Sequence, residues 1–358
     1  MLTGVTIRRK IKTAQQLRKE RGLGGLAKYG LDKFSHPALE ARIRYVDAER
    51  GRPFPRSVQI EASSNCNLRC PSCSLSYEQN AGRHMSVAEF TSILDRLPAK
   101  PDAISLNGIG EPLINPHFLE LVDILAQRGI ECSFFTNGTL LVPRLRDAIV
   151  ERMNVTFVGI SCDGAHKSTF EMLRFGSKFE NWKGLVKDFL AAAHGRAMRP
   201  IQTMMSTVLS RGNLCEIPDI IALAGELGFR SIHLADMMPN GSVPASMALT
   251  DEDRAKLDLP SLQKLGQGLG VDVTASLVRH DKPPKSRFNC FQPWEYMMVS
   301  AEGDVLPCCV IVGSDKALTM GNIFRQSFAE IWDGKEFRNF RKTTADGTNP
   351  LCAICPFY

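Results

Sequence analysis

Three cysteines, Cys66, Cys70 and Cys73, stand in the single stretch Cys66-Asn67-Leu68-Arg69-Cys70-Pro71-Ser72-Cys73. A C-x3-C-x2-C spacing lets three thiolates grip one face of a small inorganic cluster and leaves a fourth metal corner open. Iron–sulfur clusters usually take four thiolates, so three in a tight loop point to a cluster with one site kept for another ligand. Structural zinc is the competing reading. It needs a fourth donor, and His84 is the nearest candidate, at an unusual spacing. Unliganded thiols are the third.

The rest of the chain bounds these options. At 358 residues it is long enough for one large α/β unit and a smaller one. A hydrophobic share of 44% with 23% charged residues is that of a water-soluble globular protein. No apolar run is long enough to span a bilayer. The first residues, Met1 to Lys10, meet charge before any apolar core forms, unlike a secretory signal. Eleven cysteines, partly in C-x-x-C-type groups, then argue for reduced, metal-binding thiols in a cytoplasm rather than a disulfide framework. Charge is uneven: residues 1–52 hold 13 Lys and Arg against 5 Asp and Glu, a net of +8. With periodic Leu23, Leu26, Tyr29 and Leu31, this arm reads as basic helices capping the main domain. Contact with a membrane surface is the less favoured reading of the same arm. The body has no basic stripe or aromatic-interleaved motif, so nucleic acid is not an expected partner.

From residue 57 the pattern repeats strand then helix. Strands are expected at Ser57–Ala62, Ala103–Leu106, Glu131–Thr136, Val155–Ser161, Ile201–Val208 and Ser231–Asp236. Ser86 and Glu89 form a capping box opening a helix to about Leu97. Asn115 as N-cap, Pro116 and Gly129 bracket the next. Further helices fall near 143–152, 181–194 and 214–227, with Gly195 and Gly228 as stops. Six such units imply parallel pairing and right-handed crossovers in a barrel-like or open sheet. Chemistry then gathers where strands end and βα loops emerge. The cysteine loop, Gly108–Pro112, Thr136-Asn137-Gly138 and Asp163 all fall on that rim.

Across about residues 57–240 these features resemble the radical S-adenosylmethionine superfamily, whose defining motif is the C-x3-C-x2-C loop after strand one. The resemblance implies an α/β fold, a partial (β/α)6 barrel over 53–240. It implies a 4Fe–4S cluster on Cys66, Cys70 and Cys73, whose open iron is chelated by S-adenosyl-L-methionine. Reductive cleavage of that cofactor gives a 5′-deoxyadenosyl radical that takes a hydrogen atom from substrate. An external electron donor such as flavodoxin or ferredoxin is implied with it. Ile109-Gly110-Glu111-Pro112 looks like the family's G-G-E-P segment, with Ile109 in place of the first glycine and Gly108 just before it. Gly108, Gly110 and Glu111 are therefore cofactor-binding candidates, as are Asn137 of a T-N-G turn, Ser161, Asp163 and Arg174. Ser72 stands where the family often has an aromatic residue.

After Asp236 a charged helical linker is expected over 241–284, reaching Pro283-Pro284. A hairpin then spans Glu295–Ser300 and Val305–Cys309 about an Ala301–Asp304 turn, and a helix spans Ser327–Phe340. With Gly321-Asn322-Ile323 and Glu330-Ile331-Trp332, residues 285–358 resemble the SPASM/Twitch auxiliary-cluster region, a small C-terminal α+β domain. Cys290, Cys308, Cys352 and Cys355 suffice for a second 4Fe–4S cluster, with Cys309 as an alternative to Cys308 and zinc as an alternative metal. Cys132, Cys162 and Cys215 read as buried small hydrophobes. Twitch-bearing relatives include alcohol dehydrogenases of aminocyclitols, so the leading expectation is redox chemistry on a small polar, sugar- or cyclitol-like metabolite. Asp236 and His233, near the end of strand six, are the candidate catalytic bases by position. Maturation of a ribosomal peptide is the alternative, and a non-catalytic metal-binding module the second.

Overall fold

The computed structural model describes residues 55–77, 82–237, 243–278, 290, 292–308, 318–353 and 355. The basic arm over 1–52, Pro283-Pro284 and Cys309 lie outside them.

One ten-stranded sheet runs through the described residues. In sequence order its strands are β1 (Ser57–Ile60), β2 (Ala103–Ser105), β3 (Glu131–Thr136), β4 (Val155–Ser161) and β5 (Gln202–Leu209), followed by β6 (Ser231–Asp236) and β7 (Asp272–Ser276). β8 (Tyr296–Val299), β9 (Asp304–Leu306) and β10 (Gly321–Asn322) complete it. The spatial order is β10-β9-β8-β1-β2-β3-β4-β5-β6-β7 among the described residues. β1 to β7 pair in parallel with their sequence neighbours, as alternating strands and helices require. The open, partly wound parallel sheet meets the expected partial barrel, with one strand more than the six-unit pattern. β7 lies within 241–284, the stretch read as a helical linker. Its five residues, Asp272-Val273-Thr274-Ala275-Ser276, are too short and too polar to stand out by periodicity, yet they pair with β6 over Ser231–Ala235.

The auxiliary region is joined to this sheet rather than set beside it. β8 runs parallel to β1, with Ser57 opposite Tyr296 and Ile60 opposite Val299. β9 and β10 then follow antiparallel. β1 is thereby hydrogen-bonded on both sides.

Helices cover one face of the parallel strands: α1 (Val87–Arg96), α2 (Phe118–Gln127), α3 (Pro143–Glu151), α4 (Lys167–Leu173), α5 (Phe179–His194) and α6 (Ile217–Leu227). α7 (Asp251–Ala255) and α8 (Leu259–Gly268) follow β6. The two-residue strand period sends Ile104, Phe134, Val158, Met205, Ile232 and Val273 into this core, and every one is buried. α1 has the expected capping box, with Ser86 and Glu89 each accepting from the other's backbone N–H. Gly228, at φ +97°, closes α6 in the left-handed region that glycine enters without strain.

Two helix boundaries differ from expectation. α2 begins at Phe118 with His117 as its N-cap. Asn115 instead accepts the His117 N–H and donates to the Ala62 and Met85 carbonyls at 2.7 and 2.9 Å, binding α2 to the β1 exit. The Ser327–Phe340 helix is two helices, α9 (Phe328–Trp332) and α10 (Lys335–Asp346), broken at Asp333-Gly334. Arg341 packs over Trp332 and Phe337, 4.3 and 4.6 Å from the ring centres, and donates to the Pro293 and Trp332 carbonyls. Among the described residues no helix is long and apolar enough to cross a membrane.

Candidate active site

The rim is built by what each strand delivers. β1 leads through Glu61, Ala62 and Ser63 into the cysteine loop. That loop is wound tightly by its own backbone: Cys73 N–H donates to the Cys70 carbonyl at 3.0 Å, and Ser76 Oγ donates to the same carbonyl at 2.7 Å. Arg69 Nη1 reaches the Cys66 and Leu68 carbonyls, while its N–H donates to Phe175 after α4. Leu68 is buried, and Gly176, at φ +100°, lies against it. The loop is therefore anchored from two sides before any ligand binds.

The thiols are close neighbours. Burial is the main cause that pushes the Cys70 thiol up to about 11; Arg174 opposes the rise, and Asp163, Cys73 and Cys66 contribute to it. Burial raises Cys66 as well; Glu111 and Cys73 add to that, and the Leu68 N–H and Arg174 oppose it. The Leu68 N–H lies 3.4 Å and the Asn137 amide 3.9 Å from Cys66 Sγ. Three thiols on one loop beneath a guanidinium, with N–H donors aimed at sulfur, are the donor chemistry an anionic iron–sulfur cluster takes. Among the described residues no three His, Cys, Asp or Glu side chains are gathered so as to hold a single metal ion. His84, the alternative zinc ligand, engages Ser63 Oγ through Nδ1 at 3.0 Å.

The loop after β2 packs onto this one. Glu111 N–H donates to the Asn65 carbonyl at 2.7 Å, and a side chain on Gly110 would strike the Ser63 and Asn65 carbonyls. Glu111, a cofactor candidate, has its carboxylate turned inward. It accepts from Thr136 Oγ1 and the Leu113 N–H on one oxygen and from the Asn137 N–H on the other. Burial raises it to about 7 against those hydrogen bonds. Its side chain staples the β2 loop to the β3 loop. Asn137 closes a ring with Asn67 and Thr139 through bonds of 2.9, 2.9 and 2.6 Å. Asn67 and Thr139 were not candidates by sequence, because only the fold brings them together. Gly138 turns at φ +79° beneath Trp182, whose indole N–H donates to the Asn137 carbonyl at 3.0 Å.

On β4, Ser161 is half-buried and pairs in register with Ser206, while Cys162 is buried on the opposite face. Asp163 lies beyond the strand end, accepts the Val208 N–H at 2.8 Å and pairs with Arg174 Nε at 2.7 Å. Burial works against the Arg174 charge, but the Asp163 carboxylate together with the neighbouring Cys70 and Cys162 outweighs it and holds the guanidinium's pKa above its usual value. A charged fork is thus held beside the thiols.

The register continues from Ser206 to His233 and on to Thr274. His233 Nδ1 meets Thr274 Oγ1 at 2.9 Å, and burial lowers its pKa, favouring the neutral ring. Asp236 is elsewhere: its Oδ2 takes Arg254 Nε at 2.5 Å and the Val278 N–H at 3.1 Å, with the side chain fully buried. The structure places His233 in the row with Ser161 and puts Asp236 in a buried ion pair.

Among the remaining cysteines, Cys290, Cys308, Cys352 and Cys355 are half-buried. Cys355 N–H donates to the Cys352 carbonyl at 3.5 Å, so these two share one turn. Cys132 and Cys162 are buried as expected, whereas Cys215 is exposed, sitting in the short 3-10 turn before α6.

Residues 60–224 match the family model of the radical SAM superfamily, and residues 290–356 match that of the SPASM iron–sulfur cluster-binding domain. An AdoMet-dependent heme synthase of Methanosarcina barkeri is 25% identical over 331 residues, covering 85% of this chain and 89% of that one. A PqqA peptide cyclase of Xanthomonas euvesicatoria is 27% identical over 320 residues, covering 85% and 81%. Streptococcus suis SuiB bound to S-adenosylmethionine shares the fold at a TM-score of 0.64 and 17% identity, over 96% of this chain and 84% of that one. The structure of anSMEcpe with bound AdoMet does so at 0.62 and 20%, over 84% and 85%. The sugar- or cyclitol-like substrate finds no support among these relatives. The chain belongs to the radical S-adenosylmethionine superfamily, is an enzyme that works with a 4Fe–4S cluster and S-adenosyl-L-methionine, and carries a SPASM domain for auxiliary iron–sulfur binding.

Proposed function

We propose that this enzyme modifies a peptide by hydrogen-atom abstraction. The observation that carries the reading is the 27% identity, spanning both halves of the chain, with a relative named as a peptide cyclase. Cys66, Cys70 and Cys73 hold the cluster that meets S-adenosyl-L-methionine, and Cys290, Cys308, Cys352 and Cys355 hold auxiliary iron–sulfur. Together the cluster and cofactor supply the one-electron chemistry that draws hydrogen from substrate.

The chain's own residues bind and orient. The Gly108–Gly110 backbone and Asn137 border the cofactor, Ser161 offers it a hydroxyl, and Arg174, steadied by Asp163, pairs with its carboxylate. His233, neutral and braced by Thr274, faces the substrate side of that row as an acceptor or donor. Asp236 serves as scaffold through Arg254. A flavodoxin- or ferredoxin-like protein delivers the electron.

A second reading, action on heme or a heme precursor, draws on the 25% identity with the heme synthase. The test is anaerobic incubation of the reconstituted enzyme with S-adenosyl-L-methionine and reductant. Short peptides encoded beside its gene, a heme precursor and an aminocyclitol are offered separately. We expect faster 5′-deoxyadenosine release with peptide, and a peptide lighter by the hydrogens removed. Stimulation by the heme precursor alone would move the assignment to the second reading, and by the cyclitol alone to small-metabolite oxidation.

A further inference from the structure

Glu61 was not singled out by the sequence, where it is an acid at the end of an apolar strand. In the structure it is a buried carboxylate, 3% exposed, at the point where β1 leaves the sheet. One oxygen accepts the Ile109 N–H at 2.7 Å and the other the Ala301 N–H at 3.0 Å. The Gly110 amide also faces it. Ala301 is fully buried and is the first central residue of the β8–β9 turn, closed by the Gly303 N–H on the Ser300 carbonyl at 2.9 Å. Any side chain at Gly108 would collide with this carboxyl group.

A trans peptide points its N–H and C=O in opposite directions. With the Ile109 N–H aimed at Glu61, the Gly108 carbonyl is turned to the other side, and the Gly110 N–H does the same for the Ile109 carbonyl. Carbonyl oxygens held in this way are ready acceptors for an ammonium group. We propose that Glu61 is a positioning residue that fixes these acceptors for the amino group of S-adenosyl-L-methionine and, through Ala301, ties them to the auxiliary hairpin. The proposal rests on the reading that the Gly108–Gly110 segment receives the cofactor. Only a carboxylate serves both sides, since glutamine replaces one acceptor oxygen with a donor NH2.

The test uses anaerobically reconstituted full-length enzyme and the variants Glu61→Gln and Ala301→Pro. Proline suits the first central position of a turn and removes the N–H, while its ring must fit where Ala301 is fully buried, so iron content and unfolding are checked alongside. Iron content, amide hydrogen exchange over residues 105–112 without cofactor, and equilibrium binding of S-adenosyl-L-methionine are measured. For Glu61→Gln we expect full iron, faster exchange at Ile109 and Gly110, and a Kd raised about tenfold. Ala301→Pro should move both readouts the same way by a smaller factor. Unchanged exchange, with Kd within about twofold of wild type in both variants, would overturn the proposal. Should Glu61→Gln lose its fold, unchanged affinity in Ala301→Pro alone overturns it. Wild-type enzyme that fails to bind the cofactor would instead sink the reading beneath it.

Discussion

The two flanks of β1 are held by different means. On the β2 side, buried polar side chains cross between loops: Asn115 to the β1 exit, Glu111 to the β3 loop, and Asp163 to Arg174. On the β8 side, strand register does most of the joining. Four side-chain links supplement it there among the described residues: Tyr296 Oη to Gln59 at 2.6 Å, Gln59 Nε2 to Met298 Sδ at 3.5 Å, the Ala301 N–H to Glu61, and Ser64 Oγ to Glu302 at 3.4 Å. Beyond them lies an aromatic cluster with Arg341 at its centre. The cofactor flank is thus specified by directional contacts that aim groups at one spot, while the auxiliary flank is specified by backbone pairing and packing. A site that must place a reacting atom needs the former; a site that holds a cluster at a distance is served by the latter.

The sharpest way to break this comparison is to empty one side. Replacing Cys66, Cys70 and Cys73 together by alanine should abolish cleavage of S-adenosyl-L-methionine. About four irons should be lost while auxiliary iron stays, read by iron and sulfide analysis of anaerobic protein. Loss of all iron would show that the flanks stand or fall together. Next in size is Asp163→Asn. It leaves the Arg174 charge buried without its partner, and we expect a loss of about 3–5 kcal/mol in denaturant unfolding. A loss under about 1 kcal/mol would mean that the rim is not organised by this pair. On the other flank, Arg341→Leu removes two hydrogen bonds to buried carbonyls and two ring contacts. We expect about 2–3 kcal/mol, with cofactor affinity unchanged.

How much of this was legible in the sequence follows the same division. Local chemistry could be read: the Ser86–Glu89 box, the Gly228 stop, the β8–β9 turn and the cysteine loop each depend on residues a few positions apart. Long-range partners could not. Glu61 meets Ile109 and Ala301, and Asn67 meets Asn137, across separations on which no periodicity reports. Asn115 reads as a local cap because that is the commonest use of asparagine before a helix, but two distant carbonyls claim its amide. β7 does not stand out because its five residues offer only two apolar positions, Val273 and Ala275, too few for an alternation to be recognised. Asp236 stands at a strand end, the position expected of a catalytic base, but there it pairs with Arg254.

The smallest expected effect concerns His233. Burial lowers its pKa in the folded protein, so the fold favours the neutral ring. Its influence on stability is absent above the unfolded value of about 6.5, and stability falls as pH drops below that value. His233→Gln should therefore flatten part of the acid limb of a plot of urea midpoint against pH, while leaving the midpoint at pH 8 near that of wild type. An acid limb unchanged by the substitution would show that other groups set it.

The pairing of β1 with β8 also governs how the chain can be made. A ribosome releases residues 57–60 long before residues 296–299 exist, so the nascent sheet carries a bare edge at its future centre for most of synthesis. Closing such a distant contact is slow, and an uncovered strand beside apolar Val58 and Ile60 invites pairing with other chains in the meantime. The C-terminal hairpin is then more than the home of a second metal site. It is the piece that seals the sheet, and chains cut short before Tyr296 should accumulate as aggregates rather than as a smaller working enzyme.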